Sequence, residues 1–258
     1  LILILTLIIS FFFNLIISSF KLKKIIAIFN LNLKFKESFL IRSSSLLIRF
    51  ISPLQLGEFF YTHYLKKNYN FDIKKGIAVI IIDRFFSIIS LLFFIFIALF
   101  YLNNYYLAII IFILFSIPLF LPRISKLVIS FFPTGKLKNT LKYSELFKTR
   151  EICYIYLISV FLQLSKIIVS LLLLKALSIE IPFLMIILYI PFSILISSLP
   201  ITLFGLGTRE AAVILFFSQF ASPELLLTFS LLLSFVEYIF PSIIGLIFVN
   251  KYLQKAFK

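Results

Sequence analysis

The sequence is poor in the residues that build most active sites. Its 258 residues include one cysteine, one histidine, no tryptophan and six glycines, and only 14% of them are charged. The single cysteine, Cys153, excludes an internal disulfide and a cysteine metal cluster, and we expect it to be an inert buried thiol. The single histidine, His63, lies in a basic segment, so the usual catalytic arrangements of hydrolases and transferases are missing. We therefore expect no enzymatic activity, no metal and no cofactor.

Apolar residues in long runs are what the sequence has in excess. Hydrophobic residues make up 62% of the chain and the mean hydropathy is +1.15, values that would force a soluble domain of this size to expose large apolar patches. Runs of about 20 apolar residues suffice to cross a hydrocarbon core about 30 Å thick. Because these runs are continuous rather than alternating, they favour helices over barrel strands. The sequence predicts an all-α polytopic integral membrane protein with about six to seven transmembrane helices plus re-entrant or broken helices.

The net charge of +15 is better explained by membrane topology than by nucleic acid, which we do not expect as a partner. The first span, residues 1–20, ends at a cationic run that begins with Lys21. Further Lys and Arg residues cluster in residues 61–75, in residues 122–150 and in the C-terminal tail. The positive-inside rule then predicts a cytoplasmic C-terminus, and we expect a multi-pass protein of the plasma membrane. Residues 182–221 either cross the membrane twice or form a re-entrant hairpin.

The sequence PITLFGLGTRE interrupts some of the most apolar sequence late in the chain. Thr208 is expected to cap a new helix there, with a carboxylate in its first turn. Backbone N–H groups near the two glycines, together with the arginine, would form a site for a phosphate or another anion. The alternative is a membrane-surface loop whose charged residues reach water. The candidate site residues of this motif are Pro200, Gly205, Gly207, Arg209 and Glu210.

An earlier stretch, SPLQLGEFF, has the same order of features, with Pro53, Gly57 and Glu58 between apolar segments. Paired apolar segments that are interrupted by Gly and Pro indicate the central site of a transporter that is built from repeats. Irregular backbone at membrane depth is tolerated only where it is buried in protein or lines a water-filled cavity. We therefore expect both breaks to face one cavity.

Several charged residues lie inside predicted spans, where ionisable groups are rare and need partners. Asp83 and Arg84 lie about two turns into a long helix. Either both line the same cavity as the broken helices, or Arg84 reaches the interface and Asp83 finds a local partner. Glu237 lies in the middle of the last span and needs a partner such as Lys166 or Arg209, unless it is protonated.

In these residues the sequence resembles the transmembrane domain of lysylphosphatidylglycerol synthase, also called the flippase-like domain family. Members show a Pro followed by Gly-Glu or Gly-Asp, then a Glu-Arg that opens a long span, and later a Pro, a Gly-Leu-Gly and an Arg-Glu. The matching residues here are Pro53, Gly57 and Glu58, then Asp83 and Arg84, then Pro200, Gly205, Leu206, Gly207, Arg209 and Glu210.

The resemblance implies a single flippase-like transmembrane domain over residues 1–258, without the soluble aminoacyltransferase domain. It also implies that an N-terminal helix of the family is missing, as in a fragment or a chain with an unusual start. The implied function is transport of a lipid or lipid-linked headgroup between leaflets, with the matching residues binding the headgroup. The alternative is a non-transporting membrane partner or anchor of an envelope glycosyltransferase or lipid-modifying enzyme. The expected partners are membrane lipids, either phospholipid or polyprenyl-phosphate-linked glycan.

Overall fold

The structure, a computed structural model, describes residues 2–51, 59–114, 116, 149–198, 202 and 205–257. This part of the chain is helical and contains no strand, which confirms the all-α prediction. A π-helical turn, Phe235–Ile239, separates the last two α-helices. The helices are α1 Ile2–Ile28, α2 Phe35–Ile51, α3 Phe60–Tyr69, α4 Ile73–Tyr101, α5 Tyr105–Leu114, α6 Thr149–Ala176, α7 Phe183–Ser197, α8 Thr208–Phe217, α9 Pro223–Ser234 and α10 Phe240–Phe257.

Four helical segments of the described chain are long and apolar enough to cross a membrane, as expected for a polytopic membrane protein. Helix α7 has 15 residues, which gives a length of about 22 Å, and α8 is shorter still with 10 residues. Neither reaches the roughly 30 Å of a hydrocarbon core. The total number of crossings stays a prediction. The four long segments are Leu5–Ile28, Ile73–Tyr101, Arg150–Ala176 and Pro223–Val249.

Asparagine ends several of the helices in this glycine-poor chain. Asn30, Asn70 and Asn103 have φ values of 64°, 52° and 58° and directly follow or lie within two residues of the ends of α1, α3 and α4. Asparagine tolerates this left-handed conformation better than other residues with a Cβ atom. At the other end of α4, the Asp72 carboxylate accepts a hydrogen bond from the Lys74 N–H at 3.0 Å. The left-handed asparagines and the Asp72 cap therefore set these helix boundaries.

Helix α4 has a central position because it packs against α1, α3, α6 and α7. Helix α10 lies along α2, and Gly245 permits this approach, because a Cβ atom there would lie 3.0 Å from the Ser43 carbonyl oxygen. The buried apolar side chains form separate clusters. One joins the C-terminal half of α1 to α2, α3 and the start of α4, and another joins α6 to α7, α8 and α9. Polar groups between these clusters build the site.

Two expectations about single residues are wrong. Cys153 is exposed rather than buried, because it lies on the outer face of α6 near its start. The first helix does not end at Lys21 but continues to Ile28, and Lys21 has no exposed surface. A buried lysine can continue an apolar helix only if it finds a counter-charge within the protein.

Candidate functional site

A cavity of about 570 Å³ lies between the long helices and has a partly polar wall. Side chains from α1, α2, α4, α6 and α7 line it, together with the π turn and the start of α10. Gln163 lies at the middle of the apolar segment Arg150–Ala176, and Glu237 lies near the middle of Pro223–Val249. The cavity is therefore at the mid-depth of the predicted spans.

Asp83 forms one side of the site by pairing with two cations from other helices. Its Oδ1 lies 2.7 Å from Lys21 Nζ on α1, and its Oδ2 lies 3.0 Å from an Nη of Arg42 on α2. The Lys21 ammonium also donates to the Asp83 carbonyl and to the Ser87 hydroxyl, both at 3.1 Å. These contacts tie α1, α2 and α4 together at one level. All three charged residues line the cavity.

Arg84 also lines the cavity, so the structure brings this adjacent pair of charges to one site. Adjacent positions on a helix point in different directions, and the Asp83 carboxylate is accordingly paired with α1 and α2 rather than with its neighbour. Both residues line one cavity, but none of the described residues of the late break lies on its wall, so the expectation that they share a cavity with the broken helices stays a prediction. Their role in binding a headgroup stays a prediction.

The late motif breaks the chain between α7 and α8, as predicted. Gly205 and Gly207 have φ values of +74° and +88°, which favour glycine. Position 205 requires glycine for a second reason as well, because a Cβ atom there would lie 2.6 Å from the Ser197 carbonyl oxygen. The predicted cap is wrong by one residue, since Gly207 is the N-cap and Thr208 is already helical. The Thr208 hydroxyl donates instead to the Gly205 carbonyl at 3.0 Å.

Glu210 fixes the start of α8 from inside the protein. Its carboxylate accepts a hydrogen bond from the Gly207 N–H and lies 3.2 Å and 3.4 Å from the hydroxyls of Ser234 and Ser230 on α9. Only 7% of its surface is exposed. The Gly207 N–H that was expected to meet an external anion is thus bound by a carboxylate of the chain itself.

Arg209 is 1% exposed and pairs with the π turn. One Nη lies 2.9 Å from Glu237 Oε2 and donates to the Tyr238 hydroxyl at 2.8 Å, while the guanidinium lies 4.7 Å from the centre of the Tyr238 ring. The partner of Glu237 is therefore Arg209 and not Lys166. The alternative of a surface loop with Arg209 and Glu210 in water is wrong, because both residues are buried. Glu237 and Tyr238 line the cavity, with Arg209 behind them.

Several predicted residues lie outside the described chain, and several functional candidates were missed. Four predicted site residues lie outside the described residues: Pro53, Gly57, Glu58 and Pro200. The structure therefore does not describe the first of the two paired breaks, and it describes the second only in part. Lys21 and Gln163 were not predicted as site residues, although polar groups within apolar runs are the signal for them. Among the described residues no group of His, Cys, Asp and Glu could hold a metal ion.

The helical bundle, with a charged cavity level with the middle of its long apolar helices, defines a class, the polytopic membrane proteins. Within that class, the sequence profile of the family described as "Lysylphosphatidylglycerol synthase TM region" matches residues 1–245. The chain belongs to this family, as the motifs predicted. No curated protein and no solved structure gives a significant match.

We predict that substitutions of Asp83 and of its partner Lys21 destabilise the protein by unequal amounts. Asp83→Leu should lower the free energy of unfolding by about 3 to 5 kcal/mol, because the buried Lys21 ammonium then lacks its counter-charge. Lys21→Met should cost less, since Asp83 keeps Arg42. Loss of helical circular dichroism on heating in detergent measures both effects. Equal melting temperatures for the two variants would contradict this account of the network.

Proposed function

We propose that the protein moves a lipid or lipid-linked headgroup between the leaflets of the membrane, and that the headgroup passes through the cavity. The observation that carries this proposal is the position of a charged cavity at the mid-depth of apolar helices. Many large apolar side chains on the outer surface of the bundle are exposed, for example Ile9, Leu157 and Ile247. The lipid tails would stay against such surfaces while the headgroup enters the cavity.

The barrier that such a protein must lower is the burial of a charged phosphate in hydrocarbon. An unpaired charge or polar group in an apolar environment costs several kcal/mol or more. The cavity offers cations at this depth, Arg84 and Lys166, and neutral polar groups such as Asn14 and Ser18. In the proposal, the two cations contact the phosphate and the polar groups replace part of its hydration.

The broken motif has a supporting role in this proposal. Arg209 positions Glu237 and Tyr238 on the cavity wall, and Glu210 holds the start of α8 against α9. Gly205 and Gly207 allow the sharp connection between the two short helices. We assign Arg209 to positioning rather than to direct contact, because Glu237 and Tyr238 lie between its guanidinium and the cavity.

We further propose that the protein lies in the plasma membrane with its C-terminus in the cytoplasm. The basic segment around α3 and the tail supports this orientation under the positive-inside rule, whereas the turn around Asn103 has no cation. The short helices α7 and α8 favour a re-entrant hairpin over two full crossings. Lys21 contributes nothing to the orientation, because it is buried with Asp83.

The orientation predicts which sites an impermeant thiol reagent reaches from outside. In a Cys153→Ser background, Asn103→Cys should be labelled on intact cells, and Lys67→Cys only after the membrane is opened. Both residues are exposed, and Cys153 must be replaced because it is exposed as well. The reverse labelling pattern would contradict the orientation.

Filling the cavity should slow transport without a change of charge. Ser18 lines the cavity on α1, whereas Ile16 on the same helix is 47% exposed on the outer surface. Ser18→Trp should slow the movement of a fluorescent phospholipid across liposomes at least about tenfold, which corresponds to about 1.4 kcal/mol of barrier. Ile16→Trp is the matched control and should retain the rate.

Two results would overturn the proposed function. If the purified protein moves lipid no faster than liposomes without protein, it is not a transporter, and the non-transporting membrane partner is supported instead. If Ser18→Trp and Ile16→Trp have the same rate as the parent, the lipid moves by a route outside the cavity.

A further inference from the structure

The cavity ends at the level of the Asp83 network on the side of the bundle that carries α3 and its lysines. On α1 the cavity lining stops at Lys21, and on α4 it starts at Ile80, although both helices extend further toward that side. Beyond this level, buried apolar side chains of both helices, among them Leu22 and Val79, belong to the apolar cluster that joins α1, α2, α3 and α4. This cluster therefore closes one end of the cavity.

Helix α3 is the shortest of the helices that contribute to this apolar cluster, with 10 residues. Its side chains Tyr61, Tyr64 and Leu65 are buried in the cluster, whereas Lys66 and Lys67 on its other face are exposed. The helix is thus amphipathic, and only one of its faces depends on the rest of the protein. Moving α3 away from the cluster would uncover less surface than moving any of the long helices.

The two ends of α3 suit such a movement. The residue directly before the helix, Phe59, lines the cavity. At the other end, Asn70 has a left-handed φ of 52°, and residues 70–72 are all that connects α3 to α4. A rotation about this short connection would move α3 off the apolar cluster and leave α4 in its place.

Two kinds of contact hold α3 in its observed position. The Tyr64 hydroxyl donates to Glu37 Oε2 on α2 at 2.6 Å, and the Tyr64 ring stacks on Tyr252 of α10 with the ring centres 4.9 Å apart. On α4, Gly76 lets α3 approach closely, because a Cβ atom there would lie 2.8 Å from Thr62 Cγ2. All of these contacts are lost if α3 moves away, so weakening any one of them favours the displaced position.

We propose that α3 is a lid on the cytoplasmic end of the cavity, and that its displacement opens a route from the cytoplasm to the Asp83 network. In the closed position, which the structure shows, the apolar face of α3 keeps water on that side away from Lys21 and Arg42. In the open position, these two cations are accessible from the cytoplasm. The inference rests on the proposed function only in taking the α3 side as cytoplasmic.

Thiol labelling inside the cavity tests the lid without a transport measurement. Ser18→Cys in a Cys153→Ser background places a single thiol in the cavity, because the chain has no other cysteine. A membrane-impermeant maleimide is added to sealed inside-out vesicles, where it meets the α3 side, and the labelling rate is measured. Tyr64→Phe should raise this rate about tenfold, because it removes a hydrogen bond to a charged group that exists only in the closed position.

A second variant and two controls accompany this measurement. Gly76→Ala should also raise the rate, because the added Cβ pushes Thr62 and its helix away from α4. Tyr106→Phe removes the hydroxyl of a tyrosine that is 89% exposed beyond the other end of α4, and it should leave the rate unchanged. Ser170→Cys, used in place of Ser18→Cys, puts the thiol at a site with no exposed surface outside the cavity, and its labelling should stay slow in every variant.

The inference is overturned if Tyr64→Phe and Gly76→Ala leave the labelling of Ser18→Cys unchanged. It is also overturned if both variants speed the labelling of Ser170→Cys equally, since the whole fold then loosens. Labelling of Ser18→Cys as fast as that of the exposed Lys67→Cys would show that the cavity is already open on this side. A lid that responds as expected in a protein that moves no lipid would support the inference and contradict the proposed function. Lipid transport with labelling that ignores both variants would do the reverse.

Discussion

A carboxylate that is buried among apolar helices must be paired within the protein, and Asp83 meets this condition with Lys21 and Arg42. The three residues come from α4, α1 and α2, so one ionic cluster sets the depth and spacing of three helices. Because the cluster cannot be replaced by water or lipid contacts without cost, the polar wall of the cavity is part of what holds the bundle together. The site and the fold depend on the same charges.

A second cluster supports another part of the cavity wall, which includes Glu237 and Tyr238. Arg209 joins the start of α8 to Glu237 and Tyr238 in the π turn, and Glu210 joins it to α9. π turns are common at functional sites, and this one places a carboxylate at the middle of a long apolar segment. Lys166 and Gln163 also line the cavity, and the Gln163 side chain is only partly hydrogen-bonded within the described chain.

Patterns that are local in the sequence predicted much of this arrangement. Continuous apolar runs predicted the all-α membrane fold, and the two glycines before Arg209 predicted the break that starts α8. The partners of the charges were harder to predict, because Asp83 meets residues 41 and 62 positions away. Lys21 was misread since its position next to Lys23 and Lys24 is typical of a membrane interface. Its burial follows from tertiary packing alone.

The proposed function requires that the cavity holds the phosphate of a membrane lipid. The most direct measurement is an experimental density map of the protein in a lipid nanodisc that resolves phosphate groups. We expect phosphate density inside the cavity, about 3 Å from Lys166 Nζ. Lipid density confined to the outer surface of the helices, with none in the cavity, would contradict it.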